Sequence, residues 1–67
     1  MVTESGKIAI EEILAEINPE RLSKMHLRKL QSLKFKETGI RDNECFCRPD
    51  KRQKWFEQFL EWYEANA

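Results

Sequence analysis

The stretch Trp55–Tyr63, WFEQFLEWY, places five aromatic residues within nine positions near the end of a 67-residue chain. At about 100° per residue, the apolar side chains of this stretch share one arc of roughly 160° on a helix. That arc holds Trp55, Phe56, Phe59, Leu60, Trp62 and Tyr63, and the other side holds Glu57, Glu61 and Glu64. Pro49 followed by Asp50 is typical of a helix start. The sequence therefore predicts a helix over about 49–65 with a broad apolar face.

Two further helical patterns precede it. Ile10, Ile13, Leu14 and Ile17 recur at the spacing of an amphipathic helix, which we expect over about 6–17. Asn18-Pro19-Glu20 combines an N-cap residue, a first-turn proline and an acid, and it predicts a second helix over about 19–37. Thr38-Gly39 is typical of its end. The expected apolar stripe of this helix consists of Leu22, Met25, Leu30 and Leu33. His26 projects near the middle of the stripe and Leu27 at one edge.

These patterns predict an all-α fold, a compact three-helix bundle with a loop of about ten residues before the last helix. A chain this short forms one core, so residues 1–67 are expected to be a single domain in which 1–5 are frayed. No apolar run approaches the roughly 20 residues of a membrane span, and no secretory signal follows Met1. We expect no membrane partner and a cytoplasmic location.

Charge is balanced overall but unevenly distributed. Twelve Lys and Arg match twelve Asp and Glu, so the formal net charge is zero. Residues 1–20 hold five acids and one base, whereas residues 21–36 hold six bases and no acid. Residues 55–67 hold three acids and no base. The predicted second helix is therefore a basic helix between an acidic first helix and an acidic C-terminal face, and its exposed basic edge consists of Arg21, Lys24, Arg28 and Lys36.

His26, Cys45 and Cys47 are the residues most suited to a metal or a nucleophile. The thiols are one residue apart, which is short for zinc, and only Asp42 or Glu44 is available as a fourth ligand. Their separation also argues against a disulfide between them, so we expect reduced thiols. A small bundle offers little concavity for catalysis. We predict no metal, no cofactor, no small-molecule substrate and no enzymatic activity.

The surplus of aromatic residues predicts a binding function. Either all five large side chains pack internally around the smaller Ile and Leu side chains, or they exceed what two slim helical stripes cover and leave Trp62, at the rim of the arc, for a partner. Interfaces favour Trp, Tyr and Arg. We predict a protein-protein interaction module, with a protein partner or a homo-oligomer, whose apolar contacts are Trp55, Trp62 and Tyr63. Arg52 is a further predicted partner-binding residue, because it projects into the same arc, either over an indole face or along the end of the core. The alternative is a small DNA-binding regulator that uses the basic second helix.

Cys45-Phe46-Cys47, together with Arg52 and the segment from Phe59 to Tyr63, resembles the ending of short uncharacterised proteins encoded by bacteriophages. The resemblance covers about 20 residues. It implies a small accessory or regulatory protein that is intracellular or associated with a virion, and it carries over no activity or site.

Overall fold

The computed structural model describes residues 2–67, which form three α-helices in the order α1 (Glu4–Glu16), α2 (Lys24–Thr38) and α3 (Pro49–Asn66). The only β-type pairing among these residues is an isolated bridge between Asn18 and Arg21. Helix α2 packs against both α1 and α3. The predicted all-α three-helix bundle is confirmed, and α3 differs from its predicted bounds by one residue.

Helix α1 begins earlier than the sequence pattern indicated. The Thr3 hydroxyl accepts a hydrogen bond from the Gly6 backbone N–H at 3.2 Å and caps the helix. Thr3 also donates its own hydroxyl and backbone N–H to the Glu37 carboxylate of α2, at 2.7 and 3.1 Å. The Val2 N–H reaches the Asn66 carbonyl at 3.0 Å. These bonds hold residues 2–5, which we had expected to be frayed, while Met1 lies outside the described residues.

Helix α2 begins later than predicted, because Asn18-Pro19-Glu20 forms a turn instead of a helix start. The Asn18 side chain accepts from the Glu20 N–H, and its carbonyl accepts from the Arg21 N–H. Ser23 is the actual N-cap, with its hydroxyl 3.2 Å from the Met25 nitrogen. The last residue of α2 is Thr38. Gly39, the residue predicted to follow the helix, caps it in a left-handed conformation with φ 72°.

The core is dominated by aromatic side chains, most of them from α3. The hydrophobic residues that are at most 9% exposed are Ile10, Ile17, Leu27, Leu30, Phe46, Trp55, Phe56, Phe59 and Tyr63. Phe59 is fully buried, and the Trp55 and Tyr63 rings stack on either side of it with centroids 5.3 and 6.3 Å away. Phe46 enters the core from the loop and meets Trp55 edge to face at 5.2 Å. The loop therefore closes one end of the core.

The buried stripe of α2 differs from the predicted one. Leu27, expected at the edge, is fully buried, whereas Met25, expected in the stripe, is 64% exposed. Helix α1 runs antiparallel to α2, since Thr3 bonds Glu37 at one end and Glu16 lies 3.5 Å from His26 at the other. This pairing places Leu27 and Leu30 against the core and turns Met25 outward.

Replacing Phe59 by alanine tests the central position of this core. We expect Phe59→Ala to lower the free energy of unfolding by about 3–5 kcal/mol, because it removes a fully buried ring and leaves a cavity. Phe35→Ala removes the same ring from a side chain that is 42% exposed and should cost within about 0.5 kcal/mol. Urea unfolding followed by circular dichroism measures both. Equal losses for the two variants would contradict this description of the core.

Candidate binding surface

The predicted apolar contacts on α3 lie mostly inside the protein. Trp55 and Tyr63 are only 6% and 9% exposed, so the expectation that they offer surface to a partner is wrong in this fold. Their arc faces the core because α3 supplies most of the interior. Trp62 stays partly exposed at the edge of this arc, and the Lys34 ammonium group lies 5.4 Å from its ring centroid. Trp62 is thus the one predicted apolar contact with accessible surface.

The Tyr63 hydroxyl is a polar group enclosed within this apolar region. It is buried and forms no hydrogen bond with any of residues 2–67. Burial, together with the negative charge of Glu11, raises the pKa of Tyr63 above its ordinary value. The phenol therefore stays neutral at physiological pH and acts as part of the core.

Arg52 anchors the loop and does not lie over an indole. Its Nη1 donates a hydrogen bond to the Phe46 carbonyl at 3.0 Å, and the side chain is partly buried. This contact holds the Phe46 backbone over the end of the core. Arg52, which we had predicted as a partner-binding residue, thus has a structural contact that accounts for its position.

The basic residues of α2 form one exposed face. We define the α2 outer face by seven residues that are all exposed and share one side of the helix: Lys24, Met25, Arg28, Lys29, Ser32, Phe35 and Lys36. It contains three of the four residues of the predicted basic edge. The fourth, Arg21, is exposed in the turn before α2 and is not part of the helix.

None of the basic residues on the α2 outer face pairs with a carboxylate. Within residues 2–67 the ion pairs are His26 with Glu16 and Arg48 with Asp50, each at 3.5 Å. The acids of α1 therefore do not neutralise this face, although α1 packs directly against α2. Four positive charges remain available on one helix side.

Two exposed apolar side chains lie among these charges. Met25 is 64% exposed and Phe35 is 42% exposed. Sequence reasoning missed both as surface residues. Met25 was grouped with Leu22, three residues earlier, which precedes α2, and Phe35 was not assigned to either side of the helix. The capping hydroxyl of Ser23 was the signal that would have set the start of α2 correctly.

A groove borders the α2 outer face on the side of the loop. It has a volume of 590 Å³ and its apolar lining comes from Phe35, Ile40 and Trp62. Ile40 is 72% exposed, the highest value among the large apolar residues. Lys34 and Arg41 contribute positive charge to the same groove, and Asp42 and Glu44 contribute negative charge. The groove extends the apolar surface that begins with Phe35.

Asp42 fixes the loop wall of this groove. Its Oδ2 accepts the Trp55 indole N–H at 2.6 Å, and its Oδ1 accepts the Glu44 backbone N–H at 2.9 Å. Desolvation acts to raise the pKa of Asp42, but these hydrogen bonds, with Gln31 and the charge of Lys34, outweigh it and hold the pKa below its usual value. The loop is therefore tied to the core through a buried indole and an ionised carboxylate.

The two cysteines are joined in a disulfide, so the expectation of reduced thiols is wrong. Their Cα atoms are 5.5 Å apart, a usual separation for a disulfide, because the chain turns at Phe46 and Cys47. Both cysteines are exposed, whereas Phe46 between them is buried. Among residues 2–67 no group of three His, Cys, Asp or Glu side chains forms a metal-binding cluster, and His26 contacts Glu16 instead.

The chain matches no protein-family model, no curated protein and no solved structure. Within residues 2–67, no helix combines the length and the apolar character that crossing a membrane requires.

An acid titration tests the bond between Asp42 and Trp55. A carboxylate with a lowered pKa stabilises the fold above pH 3.8, and this contribution disappears as the pH falls through the lower folded value. In a Trp62→Phe background, Trp55 fluorescence should therefore change with a midpoint below 3.8. Asp42→Asn should abolish that step and destabilise the fold by about 1–2 kcal/mol at neutral pH. A midpoint above 3.8, or the same step in the Asn variant, would refute the assignment.

Proposed function

We propose that this protein is a non-enzymatic protein-binding module that receives its partner on the α2 outer face. The observation that supports this most strongly is the exposure of Met25 and Phe35 among basic side chains that have no ion-pair partner. Interfaces combine such apolar centres with a charged rim that guides approach. The partner that fits is an acidic protein surface with its own apolar centre.

The groove beside this face supports the same proposal. Phe35 belongs to both the α2 outer face and the groove, so the apolar lining formed with Ile40 and Trp62 extends onto α2. Met25 lies ten residues before Phe35, about 15 Å away along the same helix. A partner segment seated along α2 would thus cover the exposed large apolar side chains of this side together. Trp62 contacts the partner at the groove, whereas Trp55 and Tyr63 are buried and do not reach it.

A small accessory or regulatory role in a host cell or a virion follows from the resemblance of the C-terminal part to bacteriophage proteins. A binding module without a cofactor suits such a role, because it acts through occupancy of a partner. This assignment adds a biological setting to the proposal and does not alter the residues involved.

Affinity capture tests the proposed face. We expect immobilised wild-type protein to retain a specific partner from a lysate of the source cells, and Met25→Glu to retain at least tenfold less of it. The added carboxylate would place a negative charge at the apolar centre, opposite an acidic partner. Mass spectrometry with isotope labelling measures the ratio.

Gln58→Glu is the matched control, because it adds the same carboxylate at an exposed position on α3. It should retain the partner as wild type does. Equal retention by wild type and the Met25 variant, with both folded by circular dichroism, would reject the α2 outer face as the binding surface.

DNA binding through α2 is the second candidate function. It is favoured by the four positive charges of the α2 outer face, which carries no acid and forms no ion pair within residues 2–67. The ten residues between α2 and α3 separate these helices further than the short turn of helix-turn-helix proteins does. An isolated basic helix lying in a major groove remains compatible with the fold.

A salt titration distinguishes this candidate. If α2 binds duplex DNA, affinity should fall steeply between about 50 and about 200 mM salt, and Arg28→Glu should abolish it. Fluorescence anisotropy with a labelled duplex provides the measurement, and Lys54→Glu on α3 is the control with the same charge change. Absence of binding at the lower salt concentration would exclude the DNA-binding candidate.

A further inference from the structure

We propose that the α2 outer face binds the first helix of a second copy of this chain. This proposal rests on the proposed function, since it names the partner that the α2 outer face receives. The complementary surface is the α1 outer face, which we define as the exposed side of α1 formed by Glu4, Ile8, Glu11, Glu12 and Ala15.

Ile8 and Glu12 of the α1 outer face lie on the side of the helix away from the core. Glu11 lies at the edge of this face, close enough to α3 for its charge to act on the buried Tyr63 hydroxyl. Ile10 of α1 is fully buried, and Ile8, about 160° away around the helix, is 51% exposed. Glu4 precedes Ile8 by one turn, and Glu11 and Glu12 follow it by one turn, so this apolar side chain is surrounded by carboxylates. No Lys or Arg of residues 2–67 pairs with any of these three acids.

The two faces repeat one spacing with opposite charge. On α1, Ile8 is followed at i+3 and i+4 by two acids, and on α2, Met25 is followed at i+3 and i+4 by Arg28 and Lys29. When α1 of one copy lies beside α2 of another in a parallel orientation, the apolar side chains of the two helices are at the same level. The acidic pair of α1 and the basic pair of α2 are then also at the same level, about one turn further along. This places Ile8 against Met25, with the acidic pair of one copy beside the basic pair of the other.

Pairing between copies also accounts for charges that the single chain leaves uncompensated. Within residues 2–67 of one copy, the only ion pair between α1 and α2 joins Glu16 to His26 at one end of the helices. The formal net charge is zero, so copies do not repel one another as whole molecules. Association of α1 with α2 of another copy places three carboxylates beside four basic side chains and covers Ile8 and Met25.

Sedimentation of the purified full chain provides the first test. We expect the weight-average mass to rise as protein concentration increases from about 10 µM to about 1 mM, and to return toward the monomer as salt rises from about 50 to about 500 mM. Ile8→Glu and Met25→Glu should each weaken association at least tenfold, because each adds a charge to the apolar contact.

A charge exchange identifies which faces meet. Glu11→Lys with Glu12→Lys makes the charged pair beside Ile8 basic like the pair beside Met25, and Arg28→Glu with Lys29→Glu makes the pair beside Met25 acidic like the pair beside Ile8, so neither double variant should associate alone. An equimolar mixture of the two should associate again, because each face then meets its complement in the other variant. Lys51→Glu with Lys54→Glu and Glu61→Lys with Glu64→Lys make the same charge changes on α3 and should leave association unchanged.

Circular dichroism of each variant checks that it is folded. If a reversal variant unfolds, its glutamine counterpart at the same two positions removes the charges and should still weaken association. A monomer at every concentration, or a mixture of the two reversal variants that fails to associate, would overturn the second-copy proposal. If the wild-type chain stays monomeric while a different protein is captured in a Met25-dependent way, the proposed function stands and only the identity of the partner is wrong.

Discussion

Stacking of aromatic rings along one side of α3 is the interaction on which the rest of the structure depends. Phe59 lies fully buried between Trp55 and Tyr63, and Phe46 of the loop closes the column against Trp55. A domain of this size has few other sources of apolar burial. Because α3 fills the interior, the other two helices contribute only narrow buried stripes. These are Ile10 of α1 with Ile17 directly after it, and Leu27 with Leu30 of α2. The opposite sides of these two helices remain in solvent, and they carry opposite charges.

The fold was predictable where local signals and the apolar pattern agree. Pro49 begins α3 and Gly39 follows α2, as their backbone preferences require. The predicted helix starts were wrong where a contact with a distant residue, or a turn with the same residue types as a cap, decides where the helix begins. Thr3 begins α1 with the support of Glu37, which is 34 residues away along the chain. The turn at Asn18 was taken for a helix cap because the same residue types serve both structures.

The candidate site was predictable in its charge but not in its apolar part. The concentration of bases between residues 21 and 36 is a property of the sequence and locates the basic helix directly. Which side of a broad aromatic arc is buried depends on packing, so Trp55 and Tyr63 were expected at the surface and lie in the core. Met25 shows the converse, since it was grouped with Leu22, which precedes α2, although on the helix it lies about 160° away from the buried Leu27. A disulfide between Cys45 and Cys47 required the local turn, which spacing alone does not reveal.

The aromatic face of α3 forms the core, and we propose that copies associate through the outer faces of α1 and α2. Amide chemical shifts of the ¹⁵N-labelled protein, followed by NMR over a dilution series, report which surface takes part. We expect concentration-dependent shifts concentrated around Ile8 on α1 and Met25 on α2, with α3 amides from Trp55 to Tyr63 unaffected. Shifts centred on α3, or none at any concentration, would contradict the proposal.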